Sequence, residues 1–400
     1  MTSPITDLRY DPYDYGLHED PYPTYARMRT EAPVFRNDDL GFWALSRHSD
    51  VLEAFRDSDR FISSHGVSLD PAASGPHAHR TMSFLAMDPP MHGRMRGLVS
   101  RGFTPRRVLE LEPRIRELTR RYLDDALQSG SFDFIGDLAG RLPMDVISEL
   151  LGVPESDRDE VRQKADLLVH RGEGETDVPA AGVEAAFSLI GYYSDMLAER
   201  RAHRTDDLTS ALLDAQIDDD RLDDSEIIGF LFLMVVAGNE TTTKLLGNAW
   251  FWAWASHGQQ EVALASSDGV PAWIEETLRY DTSTQMLART LAADTTLHGV
   301  TMSAGDRAVL LVGSANRDPE VFEDPDAYRI GRKDVSNLIS FGFGRHFCLG
   351  ASLARLQARV ALEELQAAVR SYEIDDDAAR RVHSINVRGF ASLPTTVRAR

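Results

Sequence analysis

The segment Phe341-Gly342-Phe343-Gly344-Arg345-His346-Phe347-Cys348-Leu349-Gly350 holds the only cysteine of the 400-residue chain. A single cysteine excludes an internal disulfide and a cysteine-based zinc cluster, so the thiol is either an inert buried side chain or a group with a chemical role. Its surroundings favour chemistry. A glycine-rich bend delivers the thiol just ahead of a helical pattern, Ala351 to Leu365. Backbone N–H groups and the positive end of that helix would lower the thiol pKa and stabilise the thiolate, the form that ligates metal. Gly344 and Gly350 would let backbone approach something flat and bulky, and Phe341 would shield the sulfur from water. A second polar cluster is Gly238-Asn239-Glu240-Thr241-Thr242-Thr243, which interrupts the apolar run from Ile227 to Ala237. The glycine alone costs a helix about 1 kcal/mol, and such a local conflict often marks a functional site. Thr241 could also simply bond back to a carbonyl one turn earlier.

These residues need rigid elements behind them. Ser225 to Trp254 reads as one helix about 45 Å long at 1.5 Å per residue, and its first part, apolar on every side, belongs in the centre of the molecule. Helical periodicity also marks Arg114–Leu127, Ser156–His170 and Val183–Arg201. Strand-like pieces lie at Gly41–Leu45, Ala308–Gly313 and Val387–Val397, the last with Gly389 and Pro394 suggesting a tight hairpin. No repeat or long linker divides the chain. The expectation is a single domain over residues 1–400, mainly α with small β-sheets. Its helix-rich core spans about 94–280 and 350–370, with sheet elements near 34–45, 285–313 and 385–397. The polar stretch from Gly172 to Pro179 is a lid or merely a connection.

The charge balance of 43 basic and 63 acidic residues, net −20, speaks against nucleic acid as a general partner. No stretch reaches the roughly 18 uninterrupted apolar residues of a membrane span, and the N-terminus resembles no signal peptide, so a cytoplasmic protein away from membranes is expected. Between Arg94 and Arg121, nine arginines face only three glutamates. That is either a docking face for an acidic partner or a solvated helix surface with internal ion pairs. His77 and His79 read as a solvated loop rather than a metal pair.

The cysteine segment resembles the heme-binding loop of the cytochrome P450 family, F-x-x-G-x-x-x-C-x-G, at Phe341, Gly344, Cys348 and Gly350. Three further segments match that family in order, so the resemblance covers essentially the whole chain. Ala237-Gly238-Asn239-Glu240-Thr241-Thr242 is similar to the family's oxygen-activating turn, which implies local widening of the helix and an acid and alcohol pair, Glu240 and Thr241, that relays protons. Glu276-Thr277-Leu278-Arg279 is similar to E-x-x-R, a structural ion pair. Asp88 to Arg96 resembles the segment whose His92 and Arg96 neutralise heme propionates, and Arg289 and His346 occupy the positions of the remaining propionate contacts. One departure concerns the arginine that often joins the E-x-x-R pair: Ala327 stands in its place. Either Arg329 replaces it or the pair stands alone, and no role follows for Arg329.

The resemblance implies the cytochrome P450 fold. Heme b lies between the long central helix and the helix after Cys348, with Cys348 as the iron ligand. It implies a monomeric monooxygenase that hydroxylates or epoxidises a hydrophobic small molecule, such as a fatty acid, terpenoid, steroid or macrolide-type intermediate. No flavin or nicotinamide fingerprint is present. Electrons would therefore come from a ferredoxin and its reductase, docked on the Arg94–Arg121 cluster with Arg345, Arg355 and Arg359. The implied substrate pocket draws on the loop 65–86, residues 170–190, Met234 to Thr241, Thr284 to Leu287 and the Gly389–Phe390 turn. Leu85, Met234, Ala237, Met286, Leu287 and Phe390 are its named contacts. A peroxide-driven peroxygenase, a heme isomerase and a non-catalytic heme sensor are the competing readings; the Glu240–Thr241 pair weighs against the first two.

Overall fold

The computed structural model describes residues 8–101, 103–169, 178–218 and 220–400. The helices that build and carry the site are α1 (Tyr22–Glu31), α2 (His48–Arg56), α3 (Met91–Val99), α4 (Pro105–Glu110), α5 (Glu112–Ser129), α6 (Arg141–Leu151), α7 (Arg158–Val169), α8 (Ala180–Ala202), α9 (Asp224–Ala255), α10 (Val270–Tyr280) and α11 (Ala351–Ala368). The strands are β1 (Val34–Asn37), β2 (Phe42–Leu45), β3 (Phe61–Ile62), β4 (Ser131–Asp133), β5 (Met286–Leu291), β6 (Arg307–Leu311), β7 (Val369–Ile374), β8 (Arg380–Arg381), β9 (Phe390–Ser392) and β10 (Pro394–Ala399). The mainly helical architecture with small sheets is the one expected. Helices α1 and α2 lie ahead of the expected helical core.

Helix α9 is the axis of the fold. It starts at a capping box in which the Asp223 carboxylate accepts from the Glu226 N–H and the Glu226 carboxylate accepts from the Asp223 N–H. It then runs 32 residues without a break, so the expected widening at Gly238–Thr241 is not seen. Its apolar half packs on α6 and α8 through Phe230, Leu231 and Val235. Its far half is fixed by aromatic stacking, with Trp250 between Phe134 at 5.0 Å and Tyr372 at 3.5 Å. Among the described residues, no helix is long and apolar enough to cross a membrane.

The main sheet has the order β1-β2-β6-β5-β3, with β2 and β6 parallel and the other neighbours antiparallel. It positions Arg289 and Leu287. Two expectations about strands need correction. Strand β6 ends at Leu311, and Val312 to Ala315 form a helical turn whose Gly313 N–H donates to the Gln285 carbonyl. The Val387–Val397 region is not one hairpin. Strand β9 pairs with β8, whereas β10 joins β7 and β4 in a three-stranded sheet. The switch occurs at buried Leu393, whose N–H donates to Asp133 and whose carbonyl accepts from Phe134. The Gly172–Pro179 connection falls almost wholly on residues 170–177, outside those described.

Helix α10 is locked to the loop before Cys348 by a buried charge cluster. Both oxygens of Glu276 accept from Arg279 at 2.8 Å. The third member is Arg332, whose Nε donates to Glu276 at 3.1 Å. Arg329 is not the substitute: its side chain pairs with Asp324 at the surface, and only its backbone N–H reaches Glu276. Ala327 contributes its carbonyl, which accepts from both Arg279 and Arg332. Removing one partner from a fully buried ion cluster costs about 3–5 kcal/mol. Arg332→Met is therefore expected to lower stability by that order in urea titrations, and Arg329→Met by less than about 0.5 kcal/mol; equal costs would contradict this assignment of partners.

Candidate active site

The Cys348 loop is a tight backbone construction. Gly342 and Gly344 both have φ of +69°, a conformation that favours glycine. The Cys348 N–H donates to the Phe341 carbonyl at 2.9 Å and Phe347 N–H to Gly344 at 3.1 Å. A Cβ on Gly344 would lie 2.9 Å from the Phe55 carbonyl of α2, whereas a Cβ on Gly350 would meet nothing within 4 Å. Gly344 is thus required by the turn and by α2 rather than by the space in front of the sulfur, which corrects the expectation for that residue. Gly350 does border that space.

The Cys348 thiol lines a cavity of about 220 Å³ and is exposed into it, though surrounded by protein. Burial raises the thiol pKa above its ordinary value, against the backbone N–H groups of Gly350 and Ala351 and the charges of Arg96 and Arg355, which lower it. The direction is opposite to the one expected from the helix start, because desolvation outweighs the backbone N–H groups and the two arginines. Phe341 also lines the cavity, held under the guanidinium of Arg355 at 4.4 Å, and Arg355 is fixed by Glu275 at 2.6 Å.

Beside the sulfur sits a group of basic side chains with no acidic partner. Arg289 and His346 line the cavity. The His346 ring lies 4.1 Å from that of His92, and Arg96 donates to the Phe347 carbonyl at 2.6 Å. Burial lowers the pKa of each: His92 to about 4, His346 to about 2, Arg289 to about 10, and Arg96 in the same direction. The nearest acid acting on Arg289 and His92 is Asp88, whose oxygens are taken by the N–H groups of Ser63 and Ser64. His92 Nε2, Arg96 Nη1 and His346 Nδ1 are buried without a hydrogen-bond partner among the described residues. Buried polar nitrogens without partners and a buried arginine without counter-charge are costly, so the cluster fits an anionic group bound beside the sulfur. A heme, with two propionates and an iron that takes a thiolate, matches these residues.

From α9, Met234, Ala237, Gly238 and Thr241 line the same cavity. The Thr241 hydroxyl donates to the Ala237 carbonyl at 2.9 Å, so the bond one turn back and the position on the cavity wall coexist. Glu240 does not border the cavity. It is buried and paired with Lys244 at 3.1 Å.

Leu85 and Leu287 also line the cavity, but Met286 and Phe390 do not. Alternation along β5 turns Leu287 and Arg289 to the cavity and Met286 to the opposite face, where its sulfur accepts from Tyr10 at 3.3 Å. Phe390 packs in the core against Phe251 at 4.6 Å. Further wall residues are Leu233 and Ser283, the latter with a buried hydroxyl lacking a partner. A strand parity count would have separated Met286 from Leu287; nothing in the sequence separates Phe390 from the wall.

The Arg94–Arg121 cluster is largely neutralised. Arg94 pairs with Asp220 and Glu226, Arg114 with Glu149, Arg116 and Arg120 with Glu364, and Arg359 with Glu112. Most of these arginines are ion-paired, as the plainer of the two expectations has it. His77 and His79 lie 6.4 Å apart, and no group of three metal-ligating side chains occurs among the described residues.

A lone thiol facing a cavity, a basic edge beside it and a long helix across it are the features that a heme-thiolate site requires. The chain belongs to the cytochrome P450 family, and it is a monooxygenase with a heme cofactor. The family model described as cytochrome P450 matches residues 269–396. The chain is 58% identical to cytochrome P450 123 of Mycobacterium tuberculosis over 98% of both chains. It is 35% identical to the steroid C26-monooxygenase of Mycolicibacterium smegmatis, over 98% of this chain and 96% of that one. The solved structure of the cytochrome P450 CYP109Q5 from Chondromyces apiculatus superposes with a TM-score of 0.88 at 32% identity, covering 98% of this chain and 99% of that one.

The loop geometry separates its glycines. Gly344→Ala is expected to cost about 1–3 kcal/mol of stability in thermal or urea unfolding. Gly350→Ala should fold like wild type but take up less added heme in absorbance titrations. Equal folding defects in both would sink this distinction.

Proposed function

We propose that the chain works as a cytoplasmic, monomeric, single-domain monooxygenase that uses heme b to insert one atom of dioxygen into an apolar small molecule. In this reading, electrons come singly from a ferredoxin and its reductase. The observation that carries it is the accessible sulfur of Cys348 beside four basic side chains, two of them, His92 and Arg289, buried, and three with a buried nitrogen that has no hydrogen-bond partner among the described residues.

When bound, heme supplies dioxygen binding and oxidising power tuned by its thiolate ligand. Cys348 would hold the iron; Arg289, His346, His92 and Arg96 would hold the propionates; Gly350 and Phe341 would leave and shield the space around the sulfur. Thr241 presents a hydroxyl at the cavity wall, and Glu240, the next residue, is the buried carboxylate that replenishes its proton. Leu85, Met234, Ala237, Leu287 and Leu233 make the remaining wall apolar and exclude water, which suits a sterol-like or lipid-like substrate. A relative named for steroid oxidation supports that class.

Ferredoxin docking falls to the most exposed arginines near α4 and the Cys348 loop, Arg106 and Arg345 above all, whose surface ion pairs with Glu110 and Asp59 leave them open to solvent. Double charge reversal at Arg106 and Arg107 is expected to slow electron transfer and weaken its salt dependence.

The test of the reading is the absorption spectrum of the dithionite-reduced protein under carbon monoxide. Wild type should give the strongly red-shifted Soret band of thiolate ligation, and Cys348→Ser should lose it. A histidine-type band in fresh wild-type protein would end the proposal. Thr241→Ala should keep the band while diverting most of the consumed dioxygen to peroxide, read as a drop in product formed per NADPH.

A further inference from the structure

Thr282, Ser283 and Thr284 form a strip of the cavity wall between α10 and β5. The strip is held from behind by residues 386–388, which lie just ahead of β9. The Arg388 N–H donates to the Ser283 carbonyl at 2.8 Å, the Gln285 N–H donates to the Asn386 carbonyl at 2.8 Å, and Thr284 and Val387 form an antiparallel bridge. Arg388 itself lies outside the cavity, and its buried guanidinium gathers the surrounding chain. Nε donates to Asp281 at 2.8 Å, at the end of α10, while Nη1 and Nη2 donate to the carbonyls of His18 and Glu19, the second at 3.0 Å. Asp281 is buried too, and it also accepts from Tyr22 at 2.6 Å and Trp252 at 2.8 Å. Burial raises its pKa, but the charges of Arg388 and Arg381 outweigh burial and bring it down to about 2.

One residue thus fastens both a stretch of wall and the N-terminal segment. The guanidinium is a rigid fork of donors, so it cannot give up the two carbonyls without leaving buried N–H groups unpaired. Nor can it turn far to find other acceptors while its own backbone is bonded to Ser283. The N-terminal segment has a second fastening on the same loop, where the half-buried Tyr15 ring stacks on His383 at 3.6 Å.

We propose that Arg388 is a positioning residue for the substrate wall, and that the N-terminal segment from Leu8 to Asp20, which it clasps, is a remote determinant of ligand selectivity. The inference rests on the reading of this cavity as the place where an apolar substrate meets heme. Loosening the segment frees two donors of Arg388, lets residues 386–388 shift, and moves the Thr282–Thr284 strip with them. The coupling runs through bonded groups at every step. A bulky ligand that presses on the strip feels the change, whereas a small one held at the iron does not.

The experiment compares wild type, Tyr15→Ala, Tyr15→Phe and Arg388→Met as full-length, heme-loaded proteins. Hydrogen exchange read by mass spectrometry should speed up over residues 283–288 in Tyr15→Ala and Arg388→Met, and stay at the wild-type rate in Tyr15→Phe, which keeps the stacked ring. Two iron-binding azoles are then titrated by the shift of the Soret band: imidazole, which reaches only the iron, and clotrimazole, which also fills the pocket. Clotrimazole should bind about tenfold more weakly to Arg388→Met and about threefold more weakly to Tyr15→Ala, with imidazole unchanged in both. Unchanged exchange over 283–288 in Tyr15→Ala overturns the proposal, and so does an equal loss of affinity for the two azoles. If Arg388→Met does not fold, Tyr15→Ala decides alone. Failure of wild type to take up heme would overturn the heme assignment instead, while the exchange measurement, which needs no heme, would still decide the coupling.

Discussion

The site depends on holding the backbone from Phe341 to Gly350 in a shape that an ordinary chain avoids. Two left-handed glycines, a carbonyl of α2 pressed against one of them and the Cys348 N–H bonded to Phe341 fix the sulfur at the end of a rigid arch. The arch is anchored from both sides. Arg355 ties Phe341 to Glu275 of α10, and the Glu276–Arg279–Arg332 cluster ties α10 to the chain that leads into the loop. A buried ion cluster of this kind is weak evidence for stability, since desolvation offsets most of its attraction. Its effect here is on shape, because it leaves the loop one position in which all of its charges are satisfied.

The cationic edge follows the opposite logic. Histidines and arginines with lowered pKa values and empty donors are tolerated in a folded protein where a ligand completes them. The apoprotein should thus be frustrated at His92, Arg96, Arg289 and His346, and the heme that family membership carries should relieve that frustration. Other arginines of α3 to α5 show the contrast: Arg94, Arg106, Arg114, Arg116, Arg120 and Arg121 each pair with a glutamate or an aspartate.

Most of this was legible in the sequence. The loop pattern, the polar break in an apolar helix and the spacing of His92 and Arg96 each carry their own physical reason, and the helices follow from their periodicity. What failed did so where tertiary contacts decide. Arg332 could not be picked over Arg329, because the choice depends on how the chain coils after Pro325. The thiol pKa was misjudged because the helix start is visible in sequence and the desolvation is not. Phe390 was implied as a wall residue by the resemblance alone, yet its ring packs in the core and the strand it begins belongs to a different sheet from the one that follows.

The alternation along β5 assigns two jobs by parity. Leu287 and Arg289 face the cavity, while Met286 supports the N-terminal segment through Tyr10. Neighbouring codons therefore answer to different pressures: one can drift with the shape of a substrate while the next is held by packing. The same arrangement makes the strand intolerant of a shift in frame. Inserting one residue would exchange the two faces at once, removing a cation from the cavity edge and a thioether from the core, so diversification along this strand is confined to substitution.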